Sequence, residues 1–276
     1  MPPDPKTILV IEAGRTEAHY WRDLWRYREL FAFLAWRDIL VRYKQTVIGI
    51  AWALLRPLLT MLIFTVIFGK VAKLDSGPLP YAILVGAAML PWQFFANALT
   101  ESSQSLVSNS NLISKVYFPR LILPASAVVV SLVDFVISFA ILAGLMVWYQ
   151  HIPGWQVFAL PAFVVLAILA ALGPGLLITA LNVKYRDFRY IIPFIVQFGL
   201  FISPVGFRTS LIPEQWRLLY SLNPMVGVID GFRWCFGDES GLSTTGFFCS
   251  LATSGLLLIV GVRYFRRMER RFADII

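Results

Sequence analysis

Stretches of roughly 20 apolar residues recur along this 276-residue chain, and that recurrence limits its fold more than any other feature. A helix of that length rises ~30 Å, the thickness of a bilayer's hydrocarbon. Within hydrocarbon every backbone N–H and C=O must find a partner inside the chain, so such runs fold as helices. Six are present, at about 46–69, 80–100, 121–148, 157–181, 190–207 and 246–263. The expected fold class is an all-α integral membrane protein with six transmembrane helices. Composition agrees: 58% of residues are hydrophobic and 14% charged, whereas soluble domains hold about 25% charged residues. The first 45 residues lack an apolar core with a small-residue cleavage site, so the first span is expected to insert uncleaved.

The net charge of +8 reads as a topology signal rather than a nucleic-acid footprint. Lys6, Arg15, Arg22, Arg26, Arg28, Arg37, Arg42 and Lys44 precede the first run, Lys115 and Arg120 lie in the second loop, and Lys184, Arg186 and Arg189 in the fourth. Arg263, Arg266, Arg267, Arg270 and Arg271 follow on the same side, against Lys70, Lys73, Arg208, Arg217 and Arg233 on the other. The positive-inside bias then places both termini in the cytoplasm. Two cysteines, Cys235 and Cys249, and two histidines, His19 and His151, make no metal or disulfide framework. Without an internal repeat, an inverted-repeat secondary transporter loses support.

Three segments outside the runs have character of their own. Tyr20, Leu24, Tyr27, Phe31 and Leu34 recur at helical spacing, predicting an amphipathic interface helix over about 16–43, with Trp21, Trp25 and Trp36 suited to the headgroup layer. The second loop, Glu101 to Arg120, reads as a Ser/Asn-rich turn, a short helix and a stop at Pro119. Between the fifth and sixth runs, Pro213 opens one short helix, and Asn223 with Pro224 caps and opens a second. Neither can cross, yet both are too apolar for water. A re-entrant helical pair over 211–236, acting as an external gate, satisfies both constraints; a hairpin resting on lipid is the alternative. Its candidate residues are Pro213, Trp216, Tyr220, Asn223, Pro224, Asp230, Phe232 and Arg233.

Arg56 and Asp134 lie deep in their runs, where lipid exposure costs at least roughly 2.5 kcal/mol. They either pair with one another, or Arg56 attracts an anionic substrate head. Tyr190, Phe194, Phe198 and Phe201 form a stripe on the fifth run that either packs on lipid and helices or stacks on sugar faces. Gly173-Pro174-Gly175 is expected to loosen or kink the fourth. Neither a phosphate-cradling loop nor a carboxylate or histidine cluster is present, so active transport requires a separate ATPase.

"RYKQTVIGIAWALLRPLLTMLIFTVIFG" (Arg42 to Gly69), "NLISKVYFPRLILP" (Asn111 to Pro124), "LVDF" (Leu132 to Phe135), "NVKYRDFRY" (Asn182 to Tyr190) and "LNPMVGVIDGFRW" (Leu222 to Trp234) together resemble the permease subunit of type-two ABC exporters of lipid-linked O-antigen or teichoic acid. The resemblance covers about Tyr27 to Arg271 and leaves an N-terminal extension, 1–15, outside it. It implies a homodimer in a bacterial inner membrane, docked on two copies of a soluble ABC ATPase that holds the Mg-ATP. This chain would bind no cofactor, and the dimer would move an undecaprenyl-diphosphate-linked glycan to the periplasm. The ATPase-coupling residues so implied are Arg37, Arg42, Lys44, Asn111, Lys115, Tyr117, Phe118, Arg120, Lys184, Arg186 and Arg189. Trp52, Arg56, Tyr190, Phe194, Phe198 and Phe201 would line the channel. Alternatives are a permease for teichoic acid, capsular glycan, free lipid or a small drug, a polyprenyl-dependent transferase, and a membrane scaffold.

Overall fold

A computed structural model of the chain describes residues 20–44, 47–185, 187–238, 242–269 and 272, with the backbone alone at 47–54. Every regular element among the described residues is helical. The interface helix is present in two pieces, α1 (Tyr20–Arg26) and α2 (Arg28–Lys44), parted by a turn at Tyr27. Its apolar stripe faces inward: Tyr20 and Leu34 are buried, Leu24, Tyr27 and Phe31 pack beside them, and Trp21, Trp25 and Trp36 stay exposed. The extension at 1–15 lies outside the described residues.

Next come α3 (Val47–Phe64), which runs on through a π-helical turn at Thr65–Val71, then α4 (Tyr81–Ser108), α5 (Ser110–Lys115) and α6 (Ile122–Trp148). A 3-10 turn at Trp155–Ala159 leads into α7 (Leu160–Lys184), followed by α8 (Phe188–Ile202), α9 (Glu214–Tyr220), α10 (Pro224–Cys235) and α11 (Thr244–Glu269). Four of these, α4, α6, α7 with its leading turn, and α11, are long and apolar enough to cross a membrane. α8, at 15 residues, reaches only about 22 Å.

The second loop corrects an expectation. Its Ser-rich start is not a turn: α4 continues through it to Ser108. The hydroxyls fold back onto their own helix, Thr100 donating to the Ala96 carbonyl at 2.7 Å, Ser103 to Thr100 at 2.6 Å and Ser105 to Ser102 at 2.7 Å. Polar side chains that satisfy themselves in this way do not break a helix in an apolar setting.

α4 is the central post, packed on α6, α7 and α10, with 83% of its apolar window buried, against 17% for α11. One core surrounds α4 and holds Phe94, Phe135, Phe163 and Phe232. A second gathers Tyr20, Leu34, Ile113, Phe118, Leu176, Phe265 and Phe272 where α2, α5, α7 and α11 meet, at the basic end of the bundle.

α11 lies along α7, and two glycines set how closely. A Cβ on Gly261 would stand 2.2 Å from the Gly173 carbonyl oxygen, and one on Gly173 would stand 2.6 Å from the Leu258 nitrogen. α7 runs unbroken through Gly173-Pro174-Gly175, so Gly173 admits a neighbouring backbone, as small residues do between helices in lipid. Gly261→Ala should therefore destabilise the purified protein by about 1–3 kcal/mol, read as earlier thermal unfolding in detergent. Gly144→Ala, at a position with nothing within 4 Å, should leave the transition in place.

Candidate functional site

At the basic end, Ile113 and Phe118 anchor the second loop in the core and leave Asn111, Lys115 and Tyr117 exposed. Partial burial of its hydroxyl, with Asp23 and Glu269 nearby, pushes Tyr117 above its ordinary range. Arg120 turns inward: its backbone N–H donates to Glu269 Oε1 at 2.7 Å and its guanidinium to the Glu269 carbonyl. Arg37 donates to Asn109 Oδ1 at 2.9 Å and pairs with Asp38. Lys44 is exposed at the end of α2, Lys184 sits over the Tyr185 ring at 4.7 Å, and Arg189 donates to the Tyr190 hydroxyl at 2.9 Å. Arg186 and the side chain of Trp52 lie outside the described residues. Of the residues expected to meet an ATPase, Asn111, Lys115, Tyr117, Lys184 and Arg189 are exposed at the basic end, Lys44 is exposed where α2 enters the bundle, and Phe118 and Arg120 hold the loop in place.

The Arg56–Asp134 pair does not form. Arg56 is exposed on α3, and Asp134, roughly 18 Å along α6, accepts from Arg42 at 2.8 Å, from Asn97 at 3.2 Å and from the Tyr43 hydroxyl. Arg42 also pairs with Glu101. The end of α2 therefore reaches into the bundle and delivers the cation that Asp134 requires; Arg42, expected at a docking surface, works inside the chain. Arg37, Arg42 and Glu101 also line a cleft of about 440 Å³ between α2, α4 and α6, and all three side chains stay partly exposed there. This network was missed in the sequence, although Gln93, Asn97 and Glu101 recur at every fourth residue of α4, a spacing that lines them up as a polar ridge on one helix face.

Tyr190, Phe194, Phe198 and Phe201 do share one face of α8, each at least 61% exposed, and Phe194 stacks on Phe198 at 6.3 Å. The opposite face is seated: a Cβ on Gly199 would meet the Trp92 ring at 2.6 Å. On α3, Leu55, Leu58, Leu59, Leu62 and Ile63 are likewise exposed.

The paired short helices stand at the other end. Asn223 caps α10, accepting the Met225 N–H at 3.0 Å, with Pro224 in the first turn as expected. The two helices differ sharply. Trp216, Leu218 and Leu219 of α9 are exposed, while α10 is buried along most of its length against α4, α7 and α11. Phe232 meets Phe135 edge-on at 6.0 Å. Asp230 accepts from Thr209 at 2.8 Å, and the buried Tyr220 hydroxyl has no hydrogen bond among the described residues. The Arg233 guanidinium, 1% exposed, donates to the carbonyls of Phe207 (2.8 Å), Val205 (3.0 Å) and Leu84 (3.3 Å). It supplies donors that the non-helical segment after α8 would otherwise lack. Arg208 adds a two-pronged contact with Asp238, at 2.5 and 3.2 Å.

An apolar bundle with a basic face, a bare aromatic stripe and a buried short helix, α10, is the setting in which the family comparison is decisive. The family model for ABC-2 type transporters matches residues 29–236. This chain belongs to that family. Among its relatives, the O-antigen export system permease protein RfbA of Myxococcus xanthus is 28% identical over 255 residues, covering 92% of this chain and 97% of the relative. The RfbA permease of Klebsiella pneumoniae is 26% identical over 250 residues, covering 90% and 95%. The capsule polysaccharide export inner-membrane protein CtrC of Neisseria meningitidis is 22% identical over 252 residues, covering 88% and 92%. In this ABC-2 transporter chain the family match takes in α2 through α10, with the Asp134 network, the aromatic stripe and the short helix pair.

Asp134→Ala should destabilise this ABC-2 chain by about 1–3 kcal/mol, because it strands the donors of Arg42, Tyr43 and Asn97. In a charge exchange, Arg42→Asp with Asp134→Arg should recover part of the folded yield lost in each single variant, and Arg56→Asp with Asp134→Arg should recover none.

Proposed function

We propose that this chain is the membrane subunit of an ATP-driven exporter of lipid-linked polysaccharide, with O-antigen as its substrate class. The observation that carries the reading is likeness along nearly the whole chain to O-antigen export permeases, and the match to a capsule export protein keeps capsular glycan as the neighbouring substrate. In this reading α3 with its π-helical extension and α8 complete six crossings, both termini face the cytoplasm, and α9 and α10 dip in from the periplasmic side as a gate. The basic end faces the cytoplasm, as the distribution of Lys and Arg supports.

A glycan with many hydroxyls crosses hydrocarbon only through a wet passage. Two copies of the chain, related by a twofold axis, would build that passage by facing their α3 and α8 surfaces. The exposed faces of both helices support this seam. Phe194, Phe198 and Phe201 then offer flat apolar rings to sugar faces, gripping no particular linkage. Arg56, exposed on α3, would meet the diphosphate of the undecaprenyl carrier. A separate soluble ATPase, two copies per dimer, would bind Mg-ATP and push on Asn111, Lys115 and Tyr117. This chain itself would perform no catalysis and hold no cofactor.

Purified with its ATPase and placed in proteoliposomes, the complex should hydrolyse ATP faster when lipid-linked O-antigen is supplied, and a free short-chain lipid should not substitute. No stimulation by any lipid-linked glycan would sink the reading. Lys115→Ala with Tyr117→Ala should leave the fold intact and lower export at least ~10-fold while hydrolysis continues, that is, more than about 1.4 kcal/mol of lost coupling. Phe194→Ala with Phe198→Ala should lower export of long glycans without changing binding of the ATPase, as measured by copurification.

A further inference from the structure

The last span holds on to both working ends of the molecule. With 26 residues, α11 is about 39 Å long. At the basic end Glu269 Oε1 accepts the Arg120 backbone N–H at 2.7 Å, and its carbonyl accepts from the Arg120 guanidinium. Arg120 closes the second loop, just downstream of the exposed Lys115 and Tyr117. One turn earlier on α11, Arg266 lies over the Tyr20 ring at 4.6 Å, so the start of the interface helix is held by the same span. Phe265 and Met268 bury this junction in the second core.

At the far end a single hydroxyl does the corresponding job. Ser250 Oγ accepts the Gly227 N–H at 2.9 Å and lies 3.2 Å from the Ser221 carbonyl and 3.3 Å from the Asn223 carbonyl. With one proton to give, it donates to either carbonyl in turn. Ser221 and Asn223 belong to the turn between α9 and α10, and Gly227 to the first turns of α10. A Cβ at 227 would stand 2.6 Å from Ser250 Cβ, so the contact is backbone-close. The same turn is tied to the end of α8, where Asn223 Nδ2 donates to Ser203 Oγ at 3.0 Å. Held between two spans, it must shift when one slides against the other.

Midway, Gly261 bears on the Gly173 carbonyl of α7. Contact between backbones seats α11 closely on α7 at this point, and packed helices of this kind move by small shear as whole bodies. We infer that α11 is a rigid link that carries displacement of the second loop to the α9–α10 turn, with Glu269 and Ser250 as the positioning residues at its two anchor points. This inference rests on the export reading, since it requires a force applied at the basic end.

The test uses the full chain assembled with its ATPase, with Cys235→Ala and Cys249→Ala, and spin labels at Leu222→Cys in the α9–α10 turn and Phe158→Cys on the 3-10 turn, both exposed positions. Trapping the ATPase with ATP and vanadate should shift the label distance by several ångström in the otherwise unaltered chain. Glu269→Ala and Ser250→Ala should each abolish that shift and lower export at least ~10-fold while hydrolysis stays within about twofold. The double variant should be no worse than either single one, as anchors in series require. Glu269→Gln keeps an oxygen that accepts the Arg120 N–H and should restore the shift, which a purely destabilising effect would not predict. Retention of the shift in both assembled alanine variants overturns the inference, as does ATP-driven export in the unaltered complex without any shift. A complex that neither hydrolyses ATP nor exports glycan overturns the export reading, and this inference with it.

Discussion

Polar groups taken below the water line are costly unless they find partners within the chain, and most of the architecture follows from that demand. The demand explains why the Ser-rich stretch of α4 is helix, its hydroxyls returned to carbonyls one turn back. It explains why Asp134 is met by three donors from two other helices, and why the coil after α8 runs beside a buried arginine that supplies N–H groups to its carbonyls. Lone buried charges are expensive, but Asp134 and Arg233 are each enclosed by complementary groups. In both places the polar group also fixes how one helix sits on another, so cost and specificity arise from the same contact.

Coverage of the helices is uneven, and the unevenness follows the proposed work. α4 is jacketed on nearly all sides and α10 is almost as deeply set, whereas α3 and α8 leave whole apolar faces bare. In a bilayer, lipid can cover a bare leucine face such as that of α3 at no penalty. A row of four aromatic rings on α8 offers more than lipid contact, since rings bind flat partners in preferred geometries. The bare faces therefore belong to the same question as the oligomeric state, and the jacketed ones to the stability of each subunit.

Legibility in the sequence varied with how local each determinant is. The inward stripe from Tyr20 to Leu34, the Asn223–Pro224 helix start and the face shared by Tyr190, Phe194, Phe198 and Phe201 depend on spacing along one helix, and each was readable. Asp134 was legible as a residue in need of a partner, but its partner was not. Arg56 is the only other charge in a neighbouring run, and Arg42 lies in a segment that reads as interfacial; only tertiary placement brings α2 down beside α6. The end of α4 was missed because serine clusters usually mark turns in water, a rule that reverses once the hydroxyl has no water to compete for it. Glu269 and Ser250 could not be found, since each answers a backbone group far away in sequence.

The contrast between α10, rooted in the bundle, and the seven-residue α9, which shows Trp216, Leu218 and Leu219 to its surroundings, has a consequence for any polymer passing the outlet. A branched chain changes girth as it advances, so a stiff aperture would leak around narrow stretches and jam on wide ones. In the proposed export reading, a short stub with an oily flank on a fixed root would act like the lip of a shaft seal, riding on whatever passes and closing behind it. Tolerance of many glycan shapes would then reside in compliance at a single short element, and the surrounding helices would be free to stay rigid.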